Sequence, residues 1–261
     1  MEPTPRIIFL HIPKTAGQSV HEYLVRNFPA DSICPARVND QLRRLPAGEL
    51  DRYRVFSGHF DWSAFDTLTG PKFIFTILRD PLERLLSFYF YLREQAIHFQ
   101  AIGELDEHKP GIKAAIELSP WEYFVDPQCP LREFIDNHYD NFYSYYFAGR
   151  SYNSRTQLRP HIGPGHLFAD MSTVTRLAVA NLETLDAVCL IGQWQNINPV
   201  LSAAVGRELS LENAPRVNMG KSHPDSRIER LKELGASDDV LRRLDEFTHW
   251  DNILINRYRT A

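Results

Sequence analysis

The stretch Arg6-Ile7-Ile8-Phe9-Leu10-His11-Ile12-Pro13-Lys14-Thr15-Ala16-Gly17-Gln18-Ser19-Val20-His21-Glu22-Tyr23-Leu24-Val25-Arg26-Asn27 decides how this chain folds. Ile7 to Leu10 is an apolar, β-rich run, and from Gln18 to Asn27 the residues Val20, Tyr23 and Leu24 recur at helical spacing. The segment between them is therefore a strand-to-helix turn. Free N–H groups at a helix start point outward and the helix dipole adds partial positive charge, so such a turn suits a phosphate or sulfate group. Lys14 adds a full charge, Thr15 and Ser19 add hydroxyl donors, and Gly17 lets a ligand approach the backbone with no Cβ in the way.

A Walker A loop sets two glycines around four residues before Lys-Ser or Lys-Thr, whereas here Lys14 precedes Gly17 by three positions. The turn is either a phosphate loop of different order or a plain tight turn with Lys14 solvated.

Further along, Arg54 to Ser57 is a candidate strand that runs into Gly58-His59-Phe60. His59 then falls just past a strand's carboxyl end, where open α/β sheets hold their ligands; the alternative is a structural turn histidine. Lys72 to Leu78 is continuously apolar, which predicts a central strand covered on both faces. Arg79-Asp80-Pro81 follows, and Pro81 opens a helix whose apolar face is Leu82, Leu85, Leu86, Tyr89 and Phe90. Arg79 at the strand end and Ser87 on the helix can both reach one anion. Otherwise Arg79 pairs with a neighbouring acid and Ser87 bonds the helix backbone.

The other elements read as follows. Short helices flank Pro46, over Asn39 to Leu45 and Ala47 to Tyr53, and others cover Ile112 to Glu117, Pro120 to Val125 and Leu131 to Asn137. An aromatic helix from Asn141 to Ala148 is closed by Gly149. Its aromatics belong to the core, with one or two left to stack on a sugar or base. Gly149 to Gly165, carrying Arg150, Arg155, Arg159 and His161, reads as an irregular loop able to act as a mobile lid over an acceptor. Next come a helix over Ser172 to Leu182, a buried strand over Ala187 to Ile191 and a helix over Asn198 to Leu209. A polar loop around Lys221 and two closing helices, Asp225 to Leu234 and Ser237 to Tyr258, complete the chain. The expected architecture is one α/β domain over residues 1–261, a P-loop-like parallel sheet flanked by helices.

The 261 residues are 43% hydrophobic and 24% charged, as in an ordinary soluble protein. A net charge of −4 argues against a broad nucleic-acid or membrane-binding surface and leaves room for a local basic pocket. Cys34, Cys129 and Cys189 have neither disulfide-framework nor zinc spacing and are expected as buried thiols. With no apolar run of about 18 residues and no leader-like start, a cytoplasmic protein with no membrane span is expected.

Together these motifs resemble the sulfotransferase superfamily that uses 3′-phosphoadenosine-5′-phosphosulfate (PAPS), most closely the branch containing heparan sulfate 2-O-sulfotransferases. His-Ile-Pro-Lys-Thr-Ala-Gly-Gln-Ser looks like that branch's 5′-phosphosulfate loop, and Ile-Leu-Arg-Asp-Pro-Leu-Glu-Arg-Leu-Leu-Ser-Phe-Tyr like its 3′-phosphate motif. Ser-Gly-His-Phe matches the place of its catalytic histidine, and Asn-Leu-Glu-Thr-Leu-Asp through Ile-Gly-Gln-Trp resembles its late strand segment. The resemblance implies the sulfotransferase fold, with Lys14, Thr15, Ala16, Gly17, Gln18 and Ser19 holding the 5′-phosphosulfate. It further implies Arg79 and Ser87 on the 3′-phosphate, Lys221 in a late loop near the nucleotide, and His59 as the base. No metal is expected. The implied reaction moves a sulfuryl group from PAPS to a hydroxyl of a small-molecule or glycan acceptor, Lys14 stabilising the departing phosphate and His59 taking the acceptor proton.

Two rivals fit parts of the pattern. A nucleotide kinase would need a Lys-Ser or Lys-Thr step after glycine and a magnesium-binding acid, a part for which Asp80 is the candidate. A non-catalytic nucleotide-binding module would keep both anion sites and need no base. Asp61, two residues from His59, is the acid to weigh against it as the base.

Overall fold

The structure is a computed structural model that describes residues 4–46, 48–105, 110–211 and 224–259. Four parallel strands form the sheet: β1 (Arg6–Leu10), β2 (Val55–Gly58), β3 (Lys72–Leu78) and β4 (Ala187–Leu190), in the order β2-β1-β3-β4. The helices in chain order are α1 (Gly17–Asn27), α2 (Asn39–Arg43), α3 (Pro81–Ala101), α4 (Pro110–Glu117), α5 (Pro120–Phe124) and α6 (Arg132–Tyr139). They continue with α7 (Phe142–Gly149), α8 (Ser154–Leu158), α9 (Met171–Leu182), α10 (Ile197–Val205), α11 (Pro224–Glu233) and α12 (Asp238–Arg259). The α/β class expected from the sequence is the one found.

Strand side chains alternate between two faces, and each face has its own core. Ile7 and Phe9 of β1, with Phe73, Phe75 and Ile77 of β3, pack against Val20, Tyr23 and Leu24 of α1 and Ile197 and Leu201 of α10. Ile8, Leu10 and Phe56 face the other way, onto α7, α9 and the end of α12. A third cluster, remote from the sheet, joins α3 to α4, α5, α6, α11 and the first half of α12. Burying side chains of this size contributes roughly 1.5–3 kcal/mol each, so the doubly covered β1 and β3 fix the sheet.

β1 lies between β2 and β3, and the strand order reverses at that point. The carboxyl ends of β1 and β3 therefore flank the switch point of a doubly wound sheet, where such folds open a crevice.

The expected helices and strands are present with ends shifted by a few residues, except that the helix expected over Ala47 to Tyr53 is a 3₁₀ turn, Glu49–Arg52, and three further readings change. β4 is half-buried along its length, because it is an edge strand covered less fully than β3. Gly149 belongs to α7, and Arg150 takes the left-handed closing position at φ 59°. The expected irregular loop after it carries α8 and a 3₁₀ turn, Arg159–His161. That segment is pinned: Arg150 forms a two-pronged pair with Asp66 and lies over the Trp62 ring, and Arg155 bridges Asp136 and Asp140. Cys34 and Cys129 are buried and Cys189 is half-buried, all three as free thiols. Among the described residues no helix is long and apolar enough to cross a membrane.

Candidate functional site

The β1–α1 loop is strained. Lys14 (φ 71°) and Ala16 (φ 68°) adopt left-handed backbone on either side of Thr15. Such alternation turns successive N–H groups to one side and makes an anion-binding concavity continuous with the free N–H groups of α1. Each left-handed non-glycine costs about 1–2 kcal/mol, so the loop needs support. Thr15 supplies part of it, donating its hydroxyl to the Ile12 carbonyl at 2.9 Å from a fully buried position. Thr15 thus shapes the loop. Ser19 is also buried, and exposed Gln18 bonds Glu22 at 3.1 Å. Gly17 has a reason that the sequence did not suggest: the His11 ring lies against its Cα, and a Cβ there would sit 1.6 Å from His11 Nε2.

A second group of residues meets this loop from β3 and α3. The Tyr143 hydroxyl accepts from the Arg79 N–H at 3.1 Å and donates to its carbonyl at 2.9 Å, fixing the backbone past β3. From there the Arg79 guanidinium donates to the Lys14 carbonyl at 3.3 Å and to Glu83 Oε2 at 2.7 Å. Arg227 of α11 donates to the same Glu83 oxygen. The Lys14 ammonium stands 4.2 Å above the Tyr91 ring. Burial first, then the Arg79 charge, lowers its pKa below the ordinary lysine value; Glu94 opposes the shift and Arg227 adds to it. Two guanidinium groups therefore share one close carboxylate, with the Lys14 ammonium near them, a surplus of positive charge that suits a ligand with more than one anionic group. The hydroxyl of half-buried Ser87, one turn beyond Glu83, bonds no described residue. Alongside, a cavity of about 360 Å³ runs from Arg79 and Asp80 to Leu190–Gln193, with Ile255 and Arg259. A larger groove of about 470 Å³ lies between α9 and α12, away from the strand ends.

Past β2, the third component is His59. Its ring stacks on that of His11, centroids 4.1 Å apart, and His59 Nδ1 lies 2.8 Å from the His11 carbonyl. A carbonyl only accepts, so Nδ1 carries the proton and Nε2 the lone pair. The Tyr152 hydroxyl donates to the same carbonyl at 2.7 Å and stands 3.2 Å from Nδ1. Burial pushes the His59 pKa below the ordinary histidine value; the bond to His11 works against that shift and the Arg37 charge works with it. The imidazole is neutral at neutral pH. Asp61 is already engaged: Oδ1 accepts the Tyr152 N–H at 2.8 Å and Oδ2 pairs with Arg43 at 3.3 Å.

The fold thus brings Lys14, Ala16, Gly17 and Arg79 to one crevice, with His59 on its β2 side. Lys221 lies outside the described residues. Asp80, the acid of the kinase alternative, caps α3 through the Glu83 N–H at 3.1 Å and pairs with Arg259. None of Tyr139, Phe142, Tyr143, Tyr145, Tyr146 or Phe147 is free to stack on a ligand, since all are buried. Two of them set the strand ends instead, Tyr143 at Arg79 and Tyr146 by donating to the Phe60 carbonyl at 2.8 Å. Sequence reasoning missed His11, Tyr152, Arg37 and Arg227. Only His11 had a local signal, its place in the same turn as Lys14, between β1 and α1; the others reach the site from distant segments.

The description "Sulfotransferase family" matches residues 1–148. The Arabidopsis thaliana "Protein-tyrosine sulfotransferase" is 29% identical over 129 residues, 46% of this chain and 25% of that protein. The Homo sapiens "Heparan-sulfate 6-O-sulfotransferase 2" is 30% identical over 160 residues, 51% of this chain and 26% of that protein. Each match thus spans about a quarter of the relative's length. The crystal structure of mouse sulfotransferase SULT7A1 complexed with PAP superposes over 95% of this chain and 89% of that one, at 16% identity and a TM-score of 0.24, too low to equate individual residues.

Proposed function

This chain belongs to the sulfotransferase family, and from that premise we propose that it transfers a sulfuryl group from PAPS to a hydroxyl of a carbohydrate-containing acceptor, with His59 as general base and residues 1–261 acting as one catalytic domain. The observation that carries the reading is the His59 Nδ1 contact with the His11 carbonyl, which leaves a neutral Nε2 lone pair on the β2 side of the Lys14 loop.

The loop N–H groups and Lys14 are suited to the 5′-phosphosulfate. Arg79, Ser87 and Arg227 are suited to the 3′-phosphate, which would take over bonds that Glu83 now makes. In the reaction, His59 Nε2 takes the hydroxyl proton as the acceptor oxygen bonds sulfur, and the bond from sulfur to the 5′-phosphate oxygen breaks. Lys14 meets the negative charge that grows on that oxygen. PAPS brings the activated sulfuryl group, and the product keeps both phosphates. The three unpaired thiols fit a reducing compartment, and we assign the reaction to the cytoplasm on that ground.

The test is a screen of glycan, phenol and lipid-headgroup acceptors with sulfate-labelled PAPS. Label should move to a glycan hydroxyl. Donor binding with no transfer to any acceptor would leave a nucleotide-binding module, and transfer to phenols alone would replace the acceptor class.

A further inference from the structure

Arg37 is a cation with no counter-charge among the described residues, and its backbone is set against the proposed base. Its carbonyl accepts the His59 N–H at 2.7 Å, and its own N–H donates to Gln41 Oε1 at 2.7 Å. Its peptide also crosses Gly58 so closely that a Cβ there would fall 2.5 Å from the Arg37 oxygen. The residue is therefore locked beside His59 by its backbone. Its guanidinium Nη1 is buried and bonds no described residue, and no carboxylate among the described residues pairs with it. Burial lowers the Arg37 pKa. The groups that feel its charge are the imidazoles of His11, His21 and His59, each held neutral at neutral pH. His21, on the first turns of α1, also keeps a buried Nδ1 without a partner.

The Arg37 side chain is half-buried and its Nη1 is shielded from water without an acceptor; leaving such a charged donor unmet is costly, and a planar fork of donors is best met by an oxyanion with two or more oxygens. The donor groups are accounted for elsewhere: the phosphosulfate loop follows β1 and Arg79 follows β3, whereas Arg37 sits at the end of β2, on the other flank of β1. We propose that Arg37, with His21 beside it, is an anion-binding subsite for the acceptor, anchoring a carboxylate or sulfate group of an acidic glycan so that a neighbouring hydroxyl meets His59. This rests on the acceptor side of the function proposed above.

The experiment reads binding, so that it remains informative even if no sulfuryl transfer is found. Calorimetry with PAP present would compare three probes: an unsulfated uronic-acid oligosaccharide, its carboxyl-reduced form, and the carboxyl-reduced form bearing N-sulfates. The wild type should bind at least one acidic probe more tightly than the neutral one, and which probe it prefers identifies the carboxylate or the sulfate as the ligand. Arg37→Gln should weaken the preferred probe on the order of 30-fold and leave the neutral probe and PAP unchanged. Arg37→Lys, which keeps the charge without the fork, should fall between and guards against misfolding of the glutamine variant. Equal affinity of the wild type for all three probes, or a preference that survives Arg37→Gln, overturns the proposal. A parallel loss of PAP affinity moves Arg37 to the donor site and overturns it too. Should a glutamate-flanked tyrosine peptide carry the Arg37 dependence instead, the glycan assignment is wrong. Failure of the proposed function shows differently, as intact Arg37-dependent binding with no label transfer.

Discussion

His59 is held by His11 in two ways at once: their rings stack 4.1 Å apart, and the His11 carbonyl lies 2.8 Å from His59 Nδ1. The two residues lie at the ends of neighbouring parallel strands, β1 and β2, so the sheet register sets the geometry. His11 also fills the space over Gly17. One side chain thereby ties the proposed base to the start of α1.

The pH dependence follows from the direction of the His59 shift. A base acts in its neutral form, and the folded pKa lies below the ordinary value of about 6.5, so kcat/KM should rise with pH along a limb centred below 6.5 and level off by neutrality. His59→Ala should remove that limb and lower turnover roughly 100-fold or more while PAP still binds. Asp61→Asn is the paired control. If it kills turnover while His59→Ala keeps near-normal rates, Asp61 is the base.

Lys14 is asked to meet charge that appears as the sulfuryl group departs, so Lys14→Ala should cost turnover on the order of 100-fold to 1,000-fold with a smaller effect on PAP affinity. Single-turnover kinetics separate the two. A raised donor KM at unchanged kcat would make Lys14 a binding residue only. Chelators should leave the wild-type rate unaltered, and a strict magnesium requirement would point back to a kinase.

Arg79 should distinguish nucleotides. The protein is expected to bind PAP much more tightly than ATP, which lacks a 3′-phosphate, and Arg79→Ala should weaken PAP while barely changing ATP. Titration calorimetry measures both. Because Arg79 also holds Glu83 and the Lys14 carbonyl, equal weakening of the two nucleotides would reveal a structural role.

Gly17→Ala tests the His11 contact. The new Cβ must displace the His11 ring, and overpacking of this kind costs typically about 1–3 kcal/mol. The melting temperature should drop, and the His59 pH limb should shift because its partner has moved. A variant with wild-type stability and an unmoved limb would show that the ring yields freely.

Much of this protein is written in local patterns. The apolar run of β1, the helical spacing of α1, the continuous β3 and the Asp80-Pro81 start of α3 are short-range signals, governed by side-chain periodicity and backbone chemistry. They sufficed to put Lys14, His59 and Arg79 at strand ends. The polar segment after Gly149 gave no such signal, since a loop and a short pinned helix differ there by ion pairs to Asp66, Asp136 and Asp140.

Only tertiary structure decided the rest. The order β2-β1-β3-β4 sets which loops share a crevice, and no local pattern states it. Tyr152 reaches the His11 carbonyl across 141 residues, and Arg227 reaches Glu83 across 144. Such contacts depend on where packed helices deliver a side chain, and a guanidinium that no acid among the described residues meets, like that of Arg37, becomes visible only when its surroundings are known. The sequence by itself determined the class of chemistry through short motifs whose backbone form is local. Which groups tune that chemistry was decided by burial and by long-range partners, because the hydrogen bonds and pKa shifts that do the tuning depend on distances in space and not on separation along the chain.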